Sequence, residues 1–158
     1  MTTDKEALAS DFRRMLTERA EALRATQQAA KTGMRVDEGH RPANRGERAA
    51  VTSQGYLAAG MAERLASVEH HLALLGSLEF GPRQRVGAGA LVRVEQEDGN
   101  ERLYFLVPGA QGDALDGGVT ALSPESPLAC AMIGLEEGDS CQVMLQGREL
   151  ELAILAVG

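Results

Sequence analysis

The sequence predicts an α+β protein: an antiparallel two-helix coiled-coil hairpin followed by a small antiparallel β domain with one short helix. Three observations predict it. Between Asp4 and Lys31 there is no Gly or Pro, and apolar residues recur at helical spacing. A second helical pattern runs from Val51 to Leu75. After the breaker-rich stretch Gly76 to Gly89, the apolar period changes from three or four to two. These divide the chain into a hairpin over residues 1–78, with its tip at about 33–46, and a β domain over residues 79–158.

The first helix opens on Thr3 and Glu6, which fit a capping box: each side chain can satisfy the other residue's orphan N–H. Leu8, Phe12, Met15, Arg19, Ala22, Leu23, Ala29 and Ala30 supply the repeat, and Gly33 offers a stop. A polar segment with Gly39, Pro42 and Asn44 separates it from the second helix. There Val51, Ala58, Met61, Leu65, Val68, Leu72 and Leu75 form a coiled-coil seam. Gly55 and Gly60 each weaken this helix by roughly 1 kcal/mol relative to Ala; close packing against the first helix is the expected reason for them. In the β domain, Leu91–Glu95 and Arg102–Val107 flank the turn Asp98-Gly99-Asn100 as a hairpin. Gly117-Gly118 leads into the strand Val119–Leu122. Ser126 to Ile133 suits a short helix, and Cys141–Leu145 with Glu149–Val157 close a hairpin around Gln146-Gly147. The expected total is about five strands and one helix.

Composition narrows the function. The chain has 158 residues and a net charge of -7. Residues 1–80 hold eleven basic and eleven acidic side chains, whereas residues 81–158 hold five and twelve. The acidic half repels phosphates, so a basic protein surface is a better partner than duplex nucleic acid. Aromatics at 3% also count against base-stacking modules. Cys130 and Cys141 are expected to be reduced, buried small hydrophobes; two sulfurs far from all three histidines do not resemble a zinc ligand set. Adjacent residues on a helix diverge by about 100°, so His70 and His71 are read as surface histidines, not as a metal pair. No apolar run reaches the roughly 20 residues of a membrane span, and the N-terminus lacks a secretory apolar region; the cytoplasm is the expected location.

The motif richest in local instructions is Leu122-Ser123-Pro124-Glu125-Ser126-Pro127-Leu128-Ala129-Cys130-Ala131-Met132-Ile133-Gly134-Leu135-Glu136-Glu137-Gly138-Asp139. Ser126 can cap a helix whose first residue is Pro127, where a missing N–H costs nothing. Leu128, Ala131 and Met132 share a face, Gly134 ends the helix, and Gly138-Asp139 makes the next turn. This string resembles the C-terminal domain of the GreA/GreB transcript cleavage factors, which carry a signature of the type SPxSPLGRALLGKxxGD before a closing β-hairpin. Asn44, Ala49-Ala50 and Gln54-Gly55-Tyr56 are similar to that family's pattern at the start of the second coiled-coil helix.

The resemblance implies an FKBP-like β domain after the coiled coil. It also implies a transcription elongation regulator that binds bacterial RNA polymerase at the secondary channel, with no catalysis of its own. The β domain would dock on the rim, with Ser126, Pro127, Leu128, Ile133, Gly134 and Asp139 as candidate partner-binding residues. The hairpin tip would reach toward the active site, where family members use carboxylates to help the polymerase hold a second Mg²⁺, a hard cation that prefers oxygen. Aligned on Asn44 and Gln54-Gly55, the two family acids fall on His40 and Ala43. Asp37, Glu38 and Glu47 are the acids left in the stretch, and residues 31–48 carry five basic and three acidic side chains. Leu135 and Cys130 stand where many family members have basic residues. No cofactor or metal is expected in the free protein, beyond an indirect role on polymerase-bound Mg²⁺. The alternative is a non-enzymatic interaction module of FKBP-like fold with another protein partner. Prolyl isomerase chemistry has fold analogy alone behind it, and Phe80, Tyr104 and Phe105 make a poor aromatic proline pocket.

Overall fold

A computed structural model describes residues 4–34 and 45–158. Two helices, α1 (Lys5–Met34) and α2 (Arg45–Ser77), precede a six-stranded sheet made of β1 (Leu91–Gln96), β2 (Glu101–Leu106), β3 (Ala114–Leu115), β4 (Val119–Leu122), β5 (Ser140–Leu145) and β6 (Arg148–Val157). A short helix, α3 (Pro127–Met132), joins β4 to β5. The chain forms two compact units: residues 15–70, and residues 1–14 with 71–158. Both unit boundaries fall inside the long helices.

The helical unit is a hairpin in which Arg24 on α1 and Glu69 on α2 form an exposed ion pair at 2.7 Å. The buried residues of α1 are Leu8, Ala9, Phe12, Leu16, Ala20 and Ala30. Leu8, Phe12 and Ala30 were expected there; Ala9, Leu16 and Ala20 were not. Ala22 and Ala29, assigned to the same repeat, are exposed. On α2 the side chain of Val51, first in the expected seam, lies outside the described residues; of the rest, Ala58 and Leu75 are buried, and Met61, Leu65, Val68 and Leu72 are half-buried. Gly60 is a correction. A Cβ built on it meets nothing within 4 Å, so close packing is not its reason. Thr3 lies outside the described residues; the cap in view is Asp4, whose carboxylate accepts the Glu6 N–H at 3.0 Å.

The sheet runs in the order β3-β4-β2-β1-β6-β5. The α+β class holds, with one difference: β2 and β4 are parallel, from Leu103↔Val119 to Leu106↔Leu122, so the sheet is mixed. The β1–β2 turn is closed by Asn100, whose backbone N–H and side-chain amide both donate to the Asp98 carboxylate. The β5–β6 turn has Gln146 at φ 52 and Gly147 at φ 76, the pair of positive angles that suits a two-residue hairpin. One face of the sheet buries Val92, Val94, Leu152 and Ile154 against Leu128, Ala129 and Met132 of α3. On the other face, Phe105 packs against Phe80 with ring centroids 5.8 Å apart.

Candidate functional site

The segment from Ser126 to Asp139 is built as its residue types dictate. The first turn of a helix leaves N–H groups without partners. The Ser126 hydroxyl accepts the one from Ala129 at 3.2 Å, and Pro127 follows as the first helical residue. Leu128, Ala129 and Met132 then turn into the core, and Ala131 packs against it partly buried. The helix ends where the Ile133 N–H donates to the Ala129 carbonyl at 2.9 Å and Gly134 adopts φ 88. Few residues other than glycine take that angle cheaply.

The loop after α3 is tied at both ends. On one side, the Val86 N–H donates to the Leu135 carbonyl and the Gly134 N–H to the Val86 carbonyl, both at 2.9 Å. On the other, the Gly138 N–H donates to the Ile154 carbonyl, and the Ile154 N–H donates to that of Asp139 at 2.8 Å. The Asp139 carboxylate closes the turn by accepting the Glu136 N–H at 2.8 Å.

The candidate partner-binding residues therefore divide. Leu128 is buried, the Ser126 hydroxyl is a cap, and the Asp139 carboxylate serves its own turn. Pro127, Ile133 and Gly134 are exposed, and Ile133 is 44% exposed despite its size. Cys130 corrects an expectation: it is exposed, with its thiol 3.6 Å from the Pro124 and Glu125 carbonyls. The short helix buries residues 128, 129 and 132, which leaves 130 on its outer side. Cys141 is half-buried, and burial pushes its thiol pKa up.

The surface is anionic. From Leu103 to Gly147 there is no Lys or Arg, while Asp113, Asp116, Glu125, Glu136, Glu137 and Asp139 all carry negative charge. Arg85, from the segment before β1, donates from its Nε to Glu136 Oε1 at 2.9 Å.

Among the described residues no group of His, Cys, Asp and Glu is arranged to hold a metal ion. An open cleft of about 850 Å³ lies elsewhere in this unit, lined by Asp4, Lys5, Glu6, Phe80, Arg93 and Leu103 among others. Burial, and then the nearby Arg83 charge, lower the Lys5 pKa. His70 is exposed, whereas the His71 ring packs closely on Gly109. The tip candidates Asp37 and Glu38, with His40 and Ala43, lie outside the described residues. Glu47 falls in α2, but its side chain is also outside them.

Residues 81–158 match the family model described as "Transcription elongation factor, GreA/GreB, C-term". The chain resembles the GreA/GreB family, most directly over residues 81–158. Its match to a GreA of Cereibacter sphaeroides is 34% identical over 93 residues, 59% of this chain and 55% of that protein. The chain thus spans about half the length of the first such relatives. A GreA of Nitratidesulfovibrio vulgaris is 29% identical over 153 residues, 95% of this chain and 86% of the relative. Among solved structures, the GreA factor homolog Gfh1 of Thermus thermophilus aligns at 20% identity with a TM-score of 0.40, covering 92% of this chain and 94% of that one. No helix among the described residues is long and apolar enough to cross a membrane.

Proposed function

We propose that this chain is a transcription elongation regulator of GreA/GreB type that binds bacterial RNA polymerase in the cytoplasm. The C-terminal unit docks on the rim of the secondary channel and the hairpin tip reaches toward the active site. The observation that carries the reading is the loop after α3. It presents exposed Ile133 next to Gly134, at the end of a helix whose buried members follow the family's order. A large apolar side chain held in water at a rigid helix end is suited to an interface, because a preformed contact loses little entropy on binding. The acidic surroundings fit a partner with basic groups at its rim.

The factor acts by occupying the channel. Where the resemblance places the two tip acids, the sequence has His40 and Ala43, and neither supplies a carboxylate to Mg²⁺. Asp37, Glu38 and Glu47 are the acids left in the stretch, and the adjacent pair Asp37-Glu38 is the first to test. A cleavage assay on backtracked polymerase complexes separates the two modes. Channel occupation gives no added RNA cleavage at saturating factor. Added cleavage that disappears in the double variant Asp37→Ala with Glu38→Ala assigns those residues the family role instead.

A further inference from the structure

The segment between α2 and β1 does more than connect them. Arg85 and Val86 lie antiparallel to Gly134–Glu136, joined by an isolated bridge between Arg85 and Glu136. Two backbone hydrogen bonds of 2.9 Å link Val86 to Gly134 and Leu135. The Arg85–Glu136 ion pair closes the same bridge from the side-chain direction at 2.9 Å. The pair is exposed, with 72% and 50% of the two side chains accessible, and such pairs add little to global stability. Its position gives it a local purpose. Gly134 has φ 88 and, with Ile133, forms the part of the loop that carries the exposed isoleucine. Besides the ion pair, the two hydrogen bonds of Val86 tie that end of the loop to the segment before β1, and the Leu135 N–H donates back to the Met132 carbonyl at 3.0 Å.

We infer that Arg85 is a positioning residue for partner docking: through Glu136 it fixes the loop that presents Ile133. The inference rests on the docking reading above for its consequence, but the brace itself is a property of the free protein. Arg85 acts through its partner's charge, so reversing both charges keeps the brace.

Two measurements on the full chain test it. In the free protein, Arg85→Ala speeds amide hydrogen exchange at Val86 and Gly134 about two- to fivefold, the range an exposed ion pair supports. The charge-reversed double variant Arg85→Glu with Glu136→Arg restores the original rates. Binding to bacterial core RNA polymerase follows the same order, weakened by a similar factor in Arg85→Ala and recovered in the swap. Unchanged exchange in Arg85→Ala overturns the inference. So does a swap that restores exchange but not binding, because Arg85 would then touch the partner itself. If the unaltered protein shows no polymerase binding, the docking reading fails, and the exchange rates still decide whether the brace exists.

Discussion

The Ser126 hydroxyl meets one of the N–H groups that the first turn of α3 leaves without a helical partner. Ser126→Ala therefore costs about 1 kcal/mol, read as a lower urea midpoint with an unchanged slope. Two glycines separate backbone strain from steric conflict. Gly134 has φ 88 but open space around a Cβ, so Gly134→Ala pays only the conformational cost of about 1–2 kcal/mol. Gly109 has φ 83, and a Cβ there would sit 2.8 Å from the His71 Cβ and Cγ. Gly109→Ala thus lowers the urea midpoint further than Gly134→Ala; equal shifts would mean that His71 moves aside freely. The two thiols are also distinguishable. Cys130 is exposed, whereas Cys141 is half-buried with its pKa pushed up, which reduces the thiolate that reacts. Mass spectrometry after brief iodoacetamide treatment near pH 8 finds Cys130 alkylated first.

Regular elements were legible in the sequence where one rule decided them. The strands at Leu91, Val119 and Cys141 begin within a residue of where alternation places them, and Ser126-Pro127 marks the start of α3. The parallel pairing of β2 with β4 was not legible, because alternation gives a strand's two faces and not its neighbour's direction. The strand β3 has two residues, too few to show any period. The seam of α1 was half read. Leu8 and Phe12 continue to Leu16 and Ala20 in steps of four, while the exposed Ala22 and Ala29 imitate the same spacing. Alanine is a weak marker because it is a good helix former on either face. Gly60 shows the reverse error: packing was expected and open space was found. Gly60→Ala therefore raises stability by about 0.5–1 kcal/mol, since it removes backbone freedom from the unfolded chain and adds no clash. A fall in melting temperature would show that this glycine has a neighbour after all.

On the scale of the whole molecule, the sequence showed the local build of the candidate site but not which of its side chains stay exposed. Six residues were expected to meet the partner. Three of them, Ser126, Leu128 and Asp139, are held by the cap, the core and the turn, which makes the motif mainly a device for shaping a loop. The Arg85–Glu136 brace was invisible in sequence because its members lie about fifty residues apart and nothing in either local pattern announces the other. All of the net -7 lies in residues 81–158, so if this half docks on a basic surface, as proposed, association slows as salt rises. The central claim is docking of this loop on RNA polymerase, and interferometry with bacterial core polymerase tests it most directly. The account predicts saturable binding at micromolar protein or below, weakened at least tenfold by Ile133→Lys, a change that leaves folding stability within about 0.5 kcal/mol because the side chain is exposed. No measurable binding of the unaltered protein at micromolar concentration, or full binding by Ile133→Lys, would contradict it.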